Sequence, residues 1–202
     1  MCSCALTITP VSGMGSVMSR DFFERLRPLG FFIAGIWAIE LANWLLGHSL
    51  NPALGLEPRD VPGLIGIPFM PLLHGSWAHL ISNTVPLIVL GSVALIATPE
   101  RFLTATAIIV LASGLAVWIF ARGGIVVGAS GLVFGWFGYL IAAGVLYRSP
   151  RAILGAVIAV VFYGGLIWGV LPQRPGISWE AHLFGALAGA ATAWMLRAPR
   201  KA

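Results

Sequence analysis

Long apolar runs separated by short polar segments make up most of the chain. Six runs can be drawn, approximately over residues 28–47, 78–97, 102–120, 130–147, 152–171 and 179–196. Each is close to the roughly 20 apolar residues that a helix needs to cross the hydrocarbon core of a bilayer. The pattern therefore predicts an all-α membrane protein with six transmembrane helices.

Composition narrows the class further. Of the 202 residues, 58% are hydrophobic and only 9% are charged, and the mean hydropathy is +0.93. A soluble domain carries about 25% charged residues, so this chain cannot cover a surface that faces water. Cys2 and Cys4 lie in the N-terminal tail, and we expect no structural disulfide between them. The sequence gives no sign of a cofactor, and we expect none.

The basic residues predict the orientation. With the six spans above, nine Lys and Arg fall on one side: Arg20, Arg25, Arg27, Arg101, Arg148, Arg151, Arg197, Arg200 and Lys201. Three fall on the other: Arg59, Arg122 and Arg174. Because cytoplasmic segments carry the excess of positive charge, both termini are predicted to be cytoplasmic. The net charge of +5 thus indicates membrane topology, and we expect no nucleic-acid partner.

We expect three parts: a disordered cytoplasmic tail over 1–27, a six-span domain over 28–196 and a basic cytoplasmic tail over 197–202. The first 19 residues lack the basic start and apolar core of a signal peptide. Met14 and Met18 are alternative starts of the chain.

Ser130, framed by Gly128 and Gly131, begins the fourth run. One interpretation is structural: serine commonly caps a helix N-terminus, and Gly131 with Gly135 forms a face of small residues for close helix packing. The other is chemical, because a helix N-terminus offers free backbone amides to a developing oxyanion beside a serine nucleophile. The two interpretations are compatible.

His182 begins the sixth run. An ionisable residue within a membrane span is costly and faces a partner or a cavity. A neutral imidazole can accept the serine proton and later donate it to a leaving amine; alternatively, this is a buried histidine bonded to a carbonyl. Gly185 and Gly189 predict close packing of the helix. If it packs on the fourth span, Ser130 and His182 meet.

His79 and Asn83 open the second run and share one helix face, being four residues apart. They are either donors to an oxyanion or a polar staple for the long preceding connection. His74 is assigned a structural role. No Cys or carboxylate accompanies these histidines at ligand spacing, so we expect no metal.

A third triad member is missing from the pattern. Glu180 lies two residues before His182 and points to another helix face. Glu40 lies deep in the first span, where we expect it to bond the inner helices or the first loop. A Ser–His dyad is therefore predicted. The even-numbered spans all begin on the outer side, which places the dyad, His79 and Asn83 at similar depth.

With these residues in hand, the chain resembles the rhomboid family of intramembrane serine proteases over about residues 28–196. Three motifs carry the resemblance: His74-x4-His79-x3-Asn83, Gly128-x-Ser130-Gly131-x3-Gly135 and Ala181-His182-x2-Gly185-x3-Gly189. The resemblance implies that Ser130 is the nucleophile and His182 the general base and then acid. It also implies that His79, Asn83 and the Ser130 amide bind the oxyanion.

The resemblance implies a six-helix bundle in a bacterial inner membrane, with an irregular first loop partly in the membrane. The implied activity is cleavage of single-span substrates near the outer side. Because a transmembrane helix satisfies its own backbone hydrogen bonds, we expect a preference for substrates with Gly, Ala, Ser or Pro near the outer end of their span. In place of the family's Trp-Arg pair, the first loop carries Glu57-Pro58-Arg59-Asp60. The alternatives are a non-catalytic rhomboid-like binder of client helices, a small transporter or channel, and a hydrolase of soluble substrates. The oligomeric state stays open.

Overall fold

The computed structural model describes residues 14–172 and 176–197, with side chains described from Phe23 onward. Within these ranges the regular structure is helical, apart from one antiparallel pairing of Leu56 with Val126. The long helices are α1 (Met14–Leu45), α2 (Trp77–Ala97), α3 (Phe102–Phe120), α4 (Ser130–Tyr147), α5 (Pro150–Tyr163) and α6 (Trp179–Met195). Short helices occupy Leu50–Leu54, Pro62–Ile65, Gly66–Phe69 and Met70–Leu72, and a 3-10 segment, Gly164–Val170, continues α5.

Five stretches are long and apolar enough to cross a membrane: Phe23–Leu45, Trp77–Ala97, Phe102–Phe120, Ser130–Tyr147 and Pro150–Val170. Helix α6 has 17 residues, fewer than the roughly 20 of a full crossing. The all-helical membrane architecture is therefore confirmed, whereas the sixth crossing stays a prediction.

The start of the first helix differs from the prediction. Helix α1 begins at Met14 and runs through Pro28, so residues 14–27, assigned to a disordered tail, are helical. The predicted start at residue 28 followed from the beginning of the apolar run. Here the helix continues across it, and an Arg27–Glu24 pair of 2.6 Å joins successive turns. Residues 1–13 and 198–202 of the predicted tails lie outside the described residues.

Helix α4 is the most buried of the candidate spans and α5 the least. Helices α4 and α6 make the most extensive contact in the bundle, and glycines make it possible. A Cβ on Gly185 would overlap the carbonyl oxygen of Gly131, and a Cβ on Gly189 that of Gly135. The two helices therefore approach each other backbone to backbone, directly below Ser130 and His182.

The connection between α1 and α2 is held on the end of α3. The Arg59 guanidinium donates to the carbonyl of Ala121 at 2.6 Å, and the Trp118 indole donates to the carbonyl of Asp60 at 2.7 Å. Leu56 exchanges two backbone hydrogen bonds with Val126, of 3.1 and 2.8 Å. One side-chain hydrogen bond from each element therefore fixes the first connection to the end of α3.

Candidate functional site

A cavity of about 680 Å³ opens where the N-terminal ends of α2, α4 and α6 meet. Its lining includes His79 and Asn83 from α2, Ser130 from α4 and His182 from α6. The four residues that the sequence singled out for chemistry therefore share one space. This cavity therefore brings together polar side chains from three helices.

Ser130 and His182 are in hydrogen-bonding contact. Ser130 is the first residue of α4, and its Oγ lies 3.0 Å from His182 Nε2. His182 Nδ1 lies 2.9 Å from the carbonyl oxygen of Gly169. A carbonyl only accepts hydrogen bonds, so Nδ1 carries the proton and the Nε2 lone pair faces the serine hydroxyl. This is the tautomer in which a histidine can take a proton from serine.

The imidazole is also fixed in orientation. Phe134, one turn after Ser130, stacks on it with centroids 4.2 Å apart and planes within 2°. A Cβ on Gly169 would lie 2.5 Å from Phe134 Cζ and 3.5 Å from His182 Nδ1. Sequence reasoning missed both residues. The i+4 spacing from Ser130 could have pointed to Phe134, but a backbone carbonyl leaves no mark in a sequence.

His79 and Asn83 lie beside the loop that leads to Ser130. A Cβ on Gly128 would be 2.5 Å from His79 Cε1 and 3.7 Å from Asn83 Nδ2, and the φ of Gly128 is +119°, which favours glycine. Asn83 Nδ2 is buried and has no hydrogen-bond partner among the described residues. The Asn83 amide therefore has N–H groups free to donate, beside Gly128, which precedes Ser130 by two residues.

His74 is placed behind His79. Its buried ring meets the His79 ring edge-on with centroids 5.1 Å apart, and its carbonyl accepts hydrogen bonds from the amides of Asn43 and Asn51. Burial, together with repulsion from His79, lowers the pKa of His74 to about 4. The ring is therefore neutral at physiological pH and supports His79 by packing.

The two acidic residues considered as triad members are placed elsewhere. Glu180 pairs with Arg122, with Nε–Oε1 and Nη2–Oε2 distances of 2.5 and 3.3 Å. The expectation that Glu40 bonds the inner helices or the first loop is wrong: it is fully buried, and neither oxygen has a partner among the described residues. Over residues 23–172 and 176–197, whose side chains the structure describes, no three His, Cys, Asp or Glu side chains are grouped so that they could hold a metal ion.

The apolar helices define this chain as an integral, multi-pass membrane protein. Within the polar cavity that they surround, a serine and a histidine are in contact at helix N-termini. The rhomboid domain matches residues 63–199. The chain therefore belongs to the rhomboid family, and the resemblance seen in its motifs is confirmed.

Two mycobacterial relatives are similar over most of the chain. An uncharacterized protein of Mycobacterium tuberculosis is 39% identical over 179 residues, which cover 84% of this chain and 74% of the relative. An uncharacterized protein of Mycobacterium leprae is 38% identical over 213 residues, covering 98% and 84%. Their similarity extends the relationship beyond the matched domain but assigns no activity.

Proposed function

We propose that the protein is an intramembrane serine endopeptidase that cleaves transmembrane segments of other membrane proteins. The observation that carries the proposal is the 3.0 Å contact of Ser130 Oγ with His182 Nε2, with Nδ1 already bonded to the Gly169 carbonyl. A buried histidine bonded to a carbonyl would account for the Nδ1 contact alone, whereas the Nε2 contact with a serine hydroxyl inside a polar cavity favours catalysis.

In the first half of the reaction, Ser130 Oγ attacks the scissile carbonyl carbon while its proton passes to His182 Nε2. The carbonyl oxygen becomes an oxyanion, to which Asn83 Nδ2, His79 and the Ser130 amide donate hydrogen bonds. The Gly169 carbonyl accepts the Nδ1–H bond of the imidazolium throughout, which is the orienting role that a carboxylate has in a triad.

In the second half, Nε2 gives the proton to the leaving amine, so the peptide bond breaks and an ester on Ser130 remains. Water, deprotonated by the same nitrogen, hydrolyses that ester and regenerates the serine. The three helix N-termini around the cavity contribute positive dipole ends, which stabilise negative charge at the point where it develops.

The substrate follows from the membrane setting. A transmembrane helix satisfies its own backbone hydrogen bonds, so its peptide bonds are hidden until it unwinds. We therefore propose single-span substrates with Gly, Ala, Ser or Pro near the outer end of their span. Equal cleavage of a Leu-rich uninterrupted helix and a Gly/Pro-bearing one would contradict this substrate preference.

For topology, we propose six crossings with both termini in the cytoplasm, α6 being the sixth. The nine-to-three distribution of Lys and Arg supports it, and it puts the cavity on the outer side of a bacterial inner membrane, with the lipid bilayer as surroundings. The mycobacterial relatives support the bacterial assignment.

The test is cleavage of a labelled single-span substrate in proteoliposomes. Ser130→Ala and His182→Ala should each abolish cleavage while the protein stays folded. Ser149→Ala is the matched control, because this serine caps α5 at the opposite end of α4 from Ser130. Cleavage that survives Ser130→Ala would refute the proposal. A wild type that neither cleaves nor reacts with a fluorophosphonate would indicate a client-binding protein instead.

A further inference from the structure

An ion pair joins the loop before the nucleophile to the helix of the base. Arg122 lies in the loop 121–129 that leads to Ser130, and Glu180 lies in the first turn of α6, two residues before His182. The guanidinium meets both carboxylate oxygens, at 2.5 and 3.3 Å, and the Arg122 amide lies 3.4 Å from Oε1. The Arg122 guanidinium also lies 5.8 Å from the centroid of the Trp179 ring.

This pair supplies the polar attachment between the loop and α6. Further hydrogen bonds of the loop run to the first connection, between Val126 and Leu56 and from the Gly128 amide to the Met70 carbonyl at 2.8 Å, and to the flanking helices α3 and α4. Among the described residues, every hydrogen bond between loop 121–129 and α6 involves Arg122 and Glu180.

We propose that the Arg122–Glu180 pair is a clamp that positions Ser130 relative to His182. The proposal rests on the function proposed above. The glycine contacts hold α4 against α6 on the inner side of the dyad, and the clamp holds the loop against α6 on its other side. Fixed at both levels, the Ser130–His182 contact keeps its length while substrate enters the cavity. Arg122 and Glu180 are positioning residues, since neither contacts the reacting atoms.

The burial of the two partners is unequal, and this makes the clamp testable. The Glu180 side chain is 6% exposed, whereas that of Arg122 is 63% exposed. Removing the arginine leaves a buried carboxylate without its cation, which is strongly unfavourable. Removing the glutamate charge leaves an arginine that water can solvate. Arg122→Ala should therefore be more harmful than Glu180→Gln. Adding Glu180→Gln to Arg122→Ala should relieve the cost of the unpaired charge but should not replace the lost attachment of the loop to α6.

The experiment measures the rate at which a fluorophosphonate labels Ser130 in the full-length protein, and the hydrogen exchange of amides 121–129. Arg122→Ala should slow labelling by about tenfold to a hundredfold, the effect of a displacement of an ångström or less, and should speed exchange in the loop. Arg122→Ala/Glu180→Gln should lie between Arg122→Ala and wild type in both readouts, because the unpaired charge is gone but the clamp is still missing. Full recovery would contradict the clamp, since it would mean that only the unpaired carboxylate caused the defect. Arg122→Lys should also lie between Arg122→Ala and wild type. With a cleavable substrate, the loss should fall on kcat more than on KM.

The matched control is Arg27→Ala, which breaks the other ion pair found among the described side chains, the exposed Arg27–Glu24 pair of α1; it should change neither readout. Unchanged exchange in Arg122→Ala would overturn the clamp. Faster exchange with unchanged labelling would overturn its positioning role. A wild type that neither takes label nor cleaves a substrate would refute the proposed function, and the exchange data would still decide whether the pair holds the loop.

Discussion

Gly185→Ala tests whether the close approach of α4 and α6 sets the catalytic geometry. Gly185 lies three residues after His182, and Gly131 directly follows Ser130. The added Cβ would be 3.0 Å from the Gly131 carbonyl carbon and 3.2 Å from its Cα, and closer still to the carbonyl oxygen. These atoms are backbone, so no side chain can move aside to accommodate it.

The size of the effect follows from these distances. Ordinary contact begins at 3.4 Å, so the helices must separate by at least 0.4 Å (3.4 minus 3.0 Å), and by more to clear the oxygen. Overpacking costs about 1–3 kcal/mol, whereas alanine gains about 1 kcal/mol over glycine in a helix. Net stability should therefore fall by at most about 2 kcal/mol. Activity should fall much further, by about a hundredfold, because the Ser130–His182 contact lengthens.

The assay pairs thermal unfolding in detergent with cleavage in proteoliposomes. The control is Gly35→Ala in α1, where a Cβ meets nothing within 4 Å; it should leave activity unchanged and not lower stability. A Gly185→Ala variant that cleaves within about twofold of wild type would refute the reasoning, because the expected loss is far larger.

Three further predictions concern the surroundings of the dyad. Asn83→Ala should lower kcat by about 10²- to 10³-fold with little change in KM, the cost of one oxyanion donor; a change confined to KM would contradict that role. Because burial lowers the pKa of His74 from 6.5 to about 4, folding stability should decline by up to about 3 kcal/mol as pH falls from 6.5 to 4. Chemical unfolding at several pH values should show a shallower decline in His74→Phe, and an equal decline would be contrary evidence. Trp118→Phe should cost about 1 kcal/mol through the lost bond to the Asp60 carbonyl and speed proteolysis of the first connection, whereas unchanged proteolysis would mean that this bond does not hold it.

The apolar pattern predicts the middle of the fold closely. The third and fourth runs coincide with Phe102–Phe120 and Ser130–Tyr147, and the second with Trp77–Ala97 to one residue. These helices end where proline, glycine and charged residues interrupt long apolar runs. The pattern predicts the start of the first helix and the end of the fifth less well, because hydropathy detects burial in lipid and not helix formation. It therefore gives no sign that α1 begins at Met14, or that α5 tightens into a 3-10 segment at Gly164.

The site divides in the same way. Polar side chains are costly to bury in a membrane, so they stand out against the apolar runs of the sequence. Those of the candidate site are Ser130, His182, His79 and Asn83. The groups that orient them do not stand out. The Gly169 carbonyl is a backbone atom, and the partner of Glu180 is 58 residues away in sequence. Pairings of this kind depend on the tertiary fold, so periodicity and motif spacing cannot supply them.

The hydrogen bond between His182 and Gly169 connects the fifth span, where substrate could enter, with proton transfer at His182. Gly164, Gly165 and Pro172 near the end of the fifth span are compatible with a flexible gate for substrate and equally with ordinary glycine packing and a helix stop. The end of that span also supplies the carbonyl that fixes the His182 tautomer, at 2.9 Å. An outward movement of about 1 Å would stretch this contact beyond hydrogen-bonding distance. If α5 moves to admit substrate, it must therefore return before His182 can accept the serine proton, and proton transfer becomes conditional on a closed site.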